Sequence, residues 1–326
     1  MKSITYICPT GNNKPTGGIK VIYRHVETLS KLLPKGIESK VFHYEDFNFS
    51  CNWFSHKVNF KKNPVFDSNK EFVIIPEWMA VYHSKILQKL NVKYGIFVQN
   101  GFNLHTKPKN NFNDKEIYDA YKKAEIIISL SDEITECIRF AFPECEKKIF
   151  RITISVDNLK FQYSEEIFNN KDNLITFMPR KKNDHAKRLI FFLKKHLPEN
   201  WEIKSLDDLS EIDVVNNLKK SKIFLSFSEL EGFGLPPVEA ALCGNFVIGY
   251  TGEAGKEYWS DPIFKEVFSG DIRNFAMKVI SRVKYLENKN NTYSFLLPQI
   301  RNLADKYSLE KEKLSLNSLI EKIKNF

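Results

Sequence analysis

The sequence predicts an α/β protein made of two parallel sheets in tandem, each covered by helices. Three observations carry this. Short apolar runs alternate with amphipathic segments along most of the 326 residues. The runs lack the every-other-residue polarity of a half-exposed strand, as strands buried on both faces do. The alternation pauses once, over the polar stretch 156–173, and then restarts. A chain of this length suits two domains of roughly 100–200 residues each.

Taken in order, residues 4–7 read as a strand, followed by a glycine-containing loop. Ile19, Ile22, Val26, Leu29 and Leu33 then recur at three- and four-residue steps, one apolar face of a helix. Apolar runs at 72–75, 96–98, 126–130 and 149–154 continue the first sheet, with helices near 79–90, 115–124 and 132–141. After the pause come a strand at 174–178, a helix near 186–196, a strand at 202–204 and a helix near 211–220. A strand at 223–226, a helix from Pro236 and a strand at 246–250 complete the second sheet, and from Asp271 onward the chain reads as helix only. The expected domains are 1–156 and 157–307.

Composition excludes several classes. Hydrophobic residues make up 42% and charged residues 27%, the balance of a chain able to bury a core. No apolar run approaches the roughly 18–20 residues of a membrane-spanning helix, and the opening MKSITYICPTGNN lacks the apolar centre of a signal peptide, so a cytoplasmic location is expected. The five cysteines form no C-x-x-C pair and read as buried free thiols. Neither an H-E-x-x-H nor a D-x-D spacing occurs, so no metal site is expected. The net charge of +9 is uneven: residues 1–155 hold 23 Lys/Arg against 16 Asp/Glu, and the remainder 26 against 24. Such a basic first half suits either an anionic partner or a solvated lysine-rich surface. Nucleic acid is not the expected partner, because no basic motif with stacking aromatics of a known kind accompanies the charge.

The stretch SFSELEGFGLPPVEAALCGNFVIGY, residues 226–250, carries the chemistry. A buried strand runs into the turn E-G-F-G, where Gly232 and Gly234 permit positive φ or close backbone approach to a ligand. Pro236 and Pro237 suit the first turn of a helix, and Gly244 its left-handed stop. Glu231 then lies on the loop at the sheet's carboxyl edge and Glu239 in the first helical turn. Ligands of open α/β sheets bind at that edge, and a helix N-terminus there favours phosphate. Carboxylates beside a phosphate need tasks of their own; accepting hydrogen bonds from paired sugar hydroxyls is one.

The spacing E-G-F-G-L-P-x-x-E-A-x-x-x-G resembles the retaining glycosyltransferases of the GT-B type, family 4 (glycosyl transferases group 1). The resemblance spans about residues 3–260, with strong motif identity at Arg180 and 226–244. It implies two Rossmann-like domains facing each other across a cleft, followed by C-terminal helices, the last of which (308–326) rejoins the first domain. It implies that Glu231 holds donor-sugar hydroxyls and Glu239 the ribose, while the backbone of Gly232, Phe233 and Gly234 lines the sugar and phosphate pocket. The donor is a nucleotide diphosphate sugar serving as co-substrate, with no cofactor. The acceptor is a glycan or lipid-linked glycan of bacterial surface-polysaccharide synthesis, at the cytoplasmic face of the inner membrane.

Cleaving such a donor without a metal requires cations at the leaving diphosphate. FMPRKKNDHAKRL, residues 177–189, supplies them directly after a strand and is similar to a bacterial subgroup reading M-P-R-K. Arg180 is the first choice, because a guanidinium grips phosphate bidentately. Lys181 and Lys187 compete for the lysine role, since the family's usual K-G step is absent. In the first domain, Gly17 and Gly18 precede a helix and resemble the G-G loop that approaches the diphosphate and the acceptor. IIPEW and FVQNGF match the same subgroup and place Glu77, Gln99 and Asn100 on the acceptor side, unless these residues merely bond their own turns. His25 and His105 are more simply structural, because the resemblance implies no protein base. The base pocket is expected around 204–206. One departure is TGEAGKEYW, where Glu253 stands in a run that relatives fill with glycines. A catalytically silent GT-B-like binding subunit is the alternative, and intact Glu231, Glu239 and Arg180 speak against it.

Overall fold

The computed structural model describes residues 1–106, 113–164, 170–288 and 294–326. The middle of the expected polar linker (165–169) and part of the helical C-terminal region (289–293) lie outside them. By compactness the chain divides into one unit of Met1–Thr153 with Glu312–Phe326, and a second of Ile154–Lys311.

The first unit holds a seven-stranded sheet, all parallel, in the order β3-β2-β1-β4-β5-β6-β7. Its strands are β1 (Ser3–Cys8), β2 (Glu38–His43), β3 (Asn59–Phe60), β4 (Glu71–Pro76), β5 (Tyr94–Val98), β6 (Ile126–Ser129) and β7 (Ile149–Arg151). Four helices cross between them: α1 (Gly17–Leu32), α2 (Ala80–Lys89), α3 (Asp114–Lys123) and α4 (Asp132–Ala141). β1, β5 and β6 are buried at every residue, which is why their sequences show no alternation.

The second unit holds a five-stranded parallel sheet in the order β12-β11-β10-β8-β9. Its strands are β8 (Asp172–Phe177), β9 (Glu202–Ser205), β10 (Ser221–Glu231), β11 (Phe246–Glu253) and β12 (Phe264–Glu266). Its helices are α5 (Asn183–Leu193), α6 (Glu211–Lys220), α7 (Leu235–Leu242), α8 (Ile272–Glu287) and α9 (Leu297–Lys306). Lys171 ties α6 down: its buried ammonium donates to the carbonyls of Leu218, Lys219 and Ser221 at 3.1, 3.0 and 2.6 Å, satisfying acceptors that a helix end leaves open. The last helix, α10 (Leu309–Lys324), buries Glu312 in the first unit, 3.1 Å from Arg24 and beside fully buried His25.

Several expectations need correction. β2, β3 and β12 were not expected; β2 reads ESKVFH, β3 has two residues and β12 three, too little apolar length to stand out. The strand expected over 149–154 ends at Arg151. Gly17 and Gly18 are the first two residues of α1 rather than a loop before it. α7 begins at Leu235, one residue early, so Glu239 falls in its second turn. β10 runs to Glu231 instead of stopping at Ser226, through an irregularity between Ser228 and Glu231 where Leu230 takes φ +47°.

Candidate functional site

The residues singled out from the sequence fall into two groups, one on each unit. In the second unit, the irregularity in β10 redirects the end of the strand, as bulges do. Register pairs Glu231 with Glu253 on β11. Lys181, from the loop after β8, places Nζ 2.7 Å from Glu231 Oε1 and 3.2 Å from the carbonyl of Glu229. Its neighbour Lys182 pairs with the Glu229 carboxylate. Of the two lysines that compete for the diphosphate role, Lys181 is thus the one held at Glu231. Lys187 is exposed on α5.

The E-G-F-G turn is held from below. Gly234 takes φ +82° as the N-cap of α7, a conformation that glycine reaches at little cost. The buried Tyr258 hydroxyl sits 3.1 Å from the Phe233 carbonyl and 2.8 Å from that of Gly234. Phe233 itself is buried against Tyr258 and Tyr307, so its contribution to a ligand is limited to its backbone. Pro236 and Pro237 occupy the second and third positions of α7. Of its first three amides only that of Leu235 retains an N–H, so this helix end offers an anion few donors. Glu239 is half-buried.

α5 differs. Its N-cap, Lys182, is left-handed (φ 50°, ψ 41°) and supplies no side-chain cap. No proline removes a donor from its first turn; the turn also carries the Asp184 carboxylate, itself 3.1 Å from Arg188. Arg180, two residues before that N-cap, is exposed and makes no hydrogen bond or ion pair among the described residues. Arg180 and an open helix start thus both belong to the segment that follows β8. Residues 204–206 follow at the carboxyl end of the adjacent β9, where the Leu206 amide bonds the Phe177 carbonyl at 2.8 Å.

Glu253 is strained. Its φ of 67° and ψ of −64° fall in the mirror-image γ-turn region, which L-residues rarely occupy. Gly252 precedes it at φ +67°, and a Cβ there would lie 2.8 Å from Ser228 Cβ and 2.9 Å from Glu231 Cγ. The glycine permits the close approach of β11 to Glu231. Glu253 then pairs with Lys256.

In the first unit, Gln99 Nε2 donates to the Gly18 carbonyl at 3.0 Å, joining the end of β5 to the start of α1. Glu77 turns inward: its carboxylate is buried and accepts the backbone N–H groups of Gln99 and Asn100 at 3.1 and 3.2 Å. Burial raises its pKa from 4.5 to about 7, against those hydrogen bonds, which lower it. Asn100 caps its own turn, its side chain accepting from Phe102 N at 2.9 Å. Asn100 therefore bonds its own turn, the second of the two readings its sequence allowed, whereas Glu77 fits neither fully: it faces inward and bonds backbone 22 and 23 positions further along the chain. Gly18 and Gln99 line a cavity of about 360 Å³ with Thr10, Glu45, Pro76 and Trp78. Glu45 reaches across from the end of β2 to accept from both the backbone and hydroxyl of Thr10. His105 is exposed, and His25 lies in the core with its pKa lowered by burial.

Sequence reasoning missed Glu45, Trp78, His185, Tyr250 and Tyr258. Glu45 meets Thr10 across 35 positions, and His185 places Nδ1 2.9 Å from the Tyr250 hydroxyl across 65. No local pattern marks such pairs. Among the described residues, no group of three or more His, Cys, Asp and Glu side chains could hold a metal ion, and no helix is long and apolar enough to cross a membrane.

No protein-family model matches the sequence, and a search of curated proteins finds no match. Solved structures do resemble it. A sucrose-phosphate synthase from Thermosynechococcus elongatus superposes with a TM-score of 0.70 at 11% identity, covering 100% of both chains. A glycosyltransferase from Rickettsia africae gives 0.67 at 14%, covering 99% of this chain and 98% of that one. Anabaena HepE, in complex with UDP and glucose, gives 0.67 at 12% over 100% of both. The likeness shows the fold: two parallel-sheet α/β domains with C-terminal helices, the GT-B class that the sequence predicted.

Proposed function

We propose that the protein is a retaining glycosyltransferase of the family-4 type, moving a sugar from a nucleotide diphosphate sugar to a glycan or lipid-linked acceptor in bacterial surface-polysaccharide synthesis. The observation that carries this reading is the Lys181–Glu231 pair beside the pinned 232–234 turn, at the carboxyl edge of a nucleotide-binding type of sheet. The fold supports it, since HepE of the same fold is described with UDP and glucose.

In this mechanism Glu231 and Glu239 accept hydrogen bonds from donor hydroxyls, and the 232–234 backbone lines the sugar. Arg180 and the first-turn amides of α5 stabilise charge on the departing diphosphate, the role of preorganised donors at a leaving group. The bond between the anomeric carbon and the diphosphate oxygen breaks as the acceptor oxygen attacks the same face. The acceptor proton passes to a phosphate oxygen of the leaving group. Charge neutralisation by side chains and amides makes the transfer metal-independent. On the first unit, Gln99, Gly18 and Trp78 form the acceptor side, with Glu77 holding the Gln99 turn from beneath. The surplus of lysines there, with Tyr82, Ile86 and Leu90 exposed on and just beyond α2, supports peripheral contact with an anionic inner leaflet.

A thermal-shift screen of UDP-, GDP-, CMP- and dTDP-sugars, followed by turnover of the stabilising donor with and without EDTA, tests the reading. One donor should raise the melting temperature and be consumed equally in both buffers. Arg180→Ala should lose about 2–4 kcal/mol of transition-state stabilisation. Absence of binding across the panel overturns the assignment, and loss of activity with EDTA overturns the metal-free scheme.

A further inference from the structure

We infer that His185 is a donor to the leaving diphosphate, presented through Nε2–H by a tautomer that Tyr250 selects; this rests on the reading above. His185 is the third residue of α5, on the uncapped first turn. Its Nδ1 lies 2.9 Å from Tyr250 Oη, and the backbone N–H of Gly270 reaches the same oxygen at 3.3 Å. An amide nitrogen only donates, so Tyr250 accepts there. Among the described contacts, the acceptor left for the tyrosine's own hydrogen is His185 Nδ1. That places the lone pair on Nδ1 and the ring hydrogen on Nε2.

Nε2–H has no acceptor of its own among the described residues. The nearest carboxylate, Asp184, is 3.9 Å away, beyond hydrogen-bond distance. The ring is 14% exposed and packs edge-on against Tyr250, so its orientation is set by the core instead of being free in solvent. An oriented N–H that is open to solvent and has no protein acceptor among the described residues therefore stands on the same turn as three main-chain amides, five residues after Arg180. A ligand that meets all of these carries several acceptor oxygens and negative charge, which describes a diphosphate better than a sugar or a base. In the neutral tautomer His185 adds a directed donor to the cluster without a further cation.

Titration calorimetry with UDP, GDP, ADP and CDP identifies the diphosphate that the wild type binds, and ligand-observed NMR follows its nucleoside. His185→Leu should weaken the diphosphate by about tenfold, the worth of one hydrogen bond to a charged group, and leave the nucleoside unchanged. His185→Gln, whose amide N–H reaches the Nε2 position, should stay within about threefold of wild type. Tyr250→Phe, which frees the tautomer, should fall between the two. Should the leucine variant fail to fold, His185→Asn replaces it, since its amide meets Tyr250 but stops short of Nε2. Equal diphosphate affinity in wild type and His185→Leu overturns the inference while sparing the functional reading. So does a parallel loss of nucleoside binding, which would mark a packing role. A wild type that binds no nucleoside diphosphate overturns both.

Discussion

Lys181 Nζ stands 2.7 Å from Glu231 Oε1, joining the loop after β8 to the end of β10. The lysine side chain is 38% exposed and the glutamate 25%. A pair this open to water contributes at most about 1 kcal/mol to stability. In the proposed mechanism its part is in ligand binding more than in folding.

Glu231→Ala should therefore cost about 2–4 kcal/mol in kcat/KM, the range for removing one preorganised contact at the reacting group, while moving the urea midpoint little. Lys181→Met should weaken the diphosphate product. Steady-state kinetics alongside urea denaturation separates the two effects. Wild-type kcat/KM in Glu231→Ala would remove that residue from the site.

Glu253 holds a backbone conformation that costs an L-residue about 1–3 kcal/mol. Glycine relieves that cost but gains entropy in the unfolded chain, about 0.5–1 kcal/mol. The exposed pair with Lys256 adds little on the other side. Glu253→Gly should raise stability by about 1 kcal/mol, read as a higher urea midpoint at unchanged slope. A lower midpoint would show that the side chain stabilises more than the strain costs.

The pKa of Glu77 rises on folding from 4.5 to about 7. Between those values the folded protein binds more protons than the unfolded one, so stability falls as pH rises through this window. The contribution is complete below pH 4.5 and lost above pH 7, about 3 kcal/mol in all. Glu77→Gln carries no such proton and should flatten this part of the profile. Denaturant midpoints at half-unit pH steps compare the two, and parallel profiles would contradict the assignment.

Lys171 satisfies three carbonyls at the end of α6 from a buried position. Lys171→Met keeps the length of the side chain and removes the donors. Asn245 still bonds the Leu218 carbonyl at 2.7 Å, which limits the damage. A loss of about 1–3 kcal/mol is expected by urea denaturation, and no loss would mean that water replaces the ammonium.

Most of the fold was legible because a parallel sheet buries whole strands, leaving unbroken apolar runs between helical periods. β2 escaped notice because ESKVFH begins with two polar residues and a lysine, and β3 and β12 because they are so short. The E-G-F-G turn was legible because glycine and proline are chosen there for backbone geometry that few other residues supply.

By itself the sequence determined the class of fold, the turn at 232–234 and which residues carry charge near it. Periodicity and backbone-limited residue types are written locally along the chain. Only the tertiary structure decided that Lys181, not Lys187, meets Glu231, that Glu77 turns inward to bind amides, and that Tyr250 orients His185. Those outcomes depend on strand register and on side chains brought together across 22, 50 or 65 positions, and a linear pattern carries no record of distance in space.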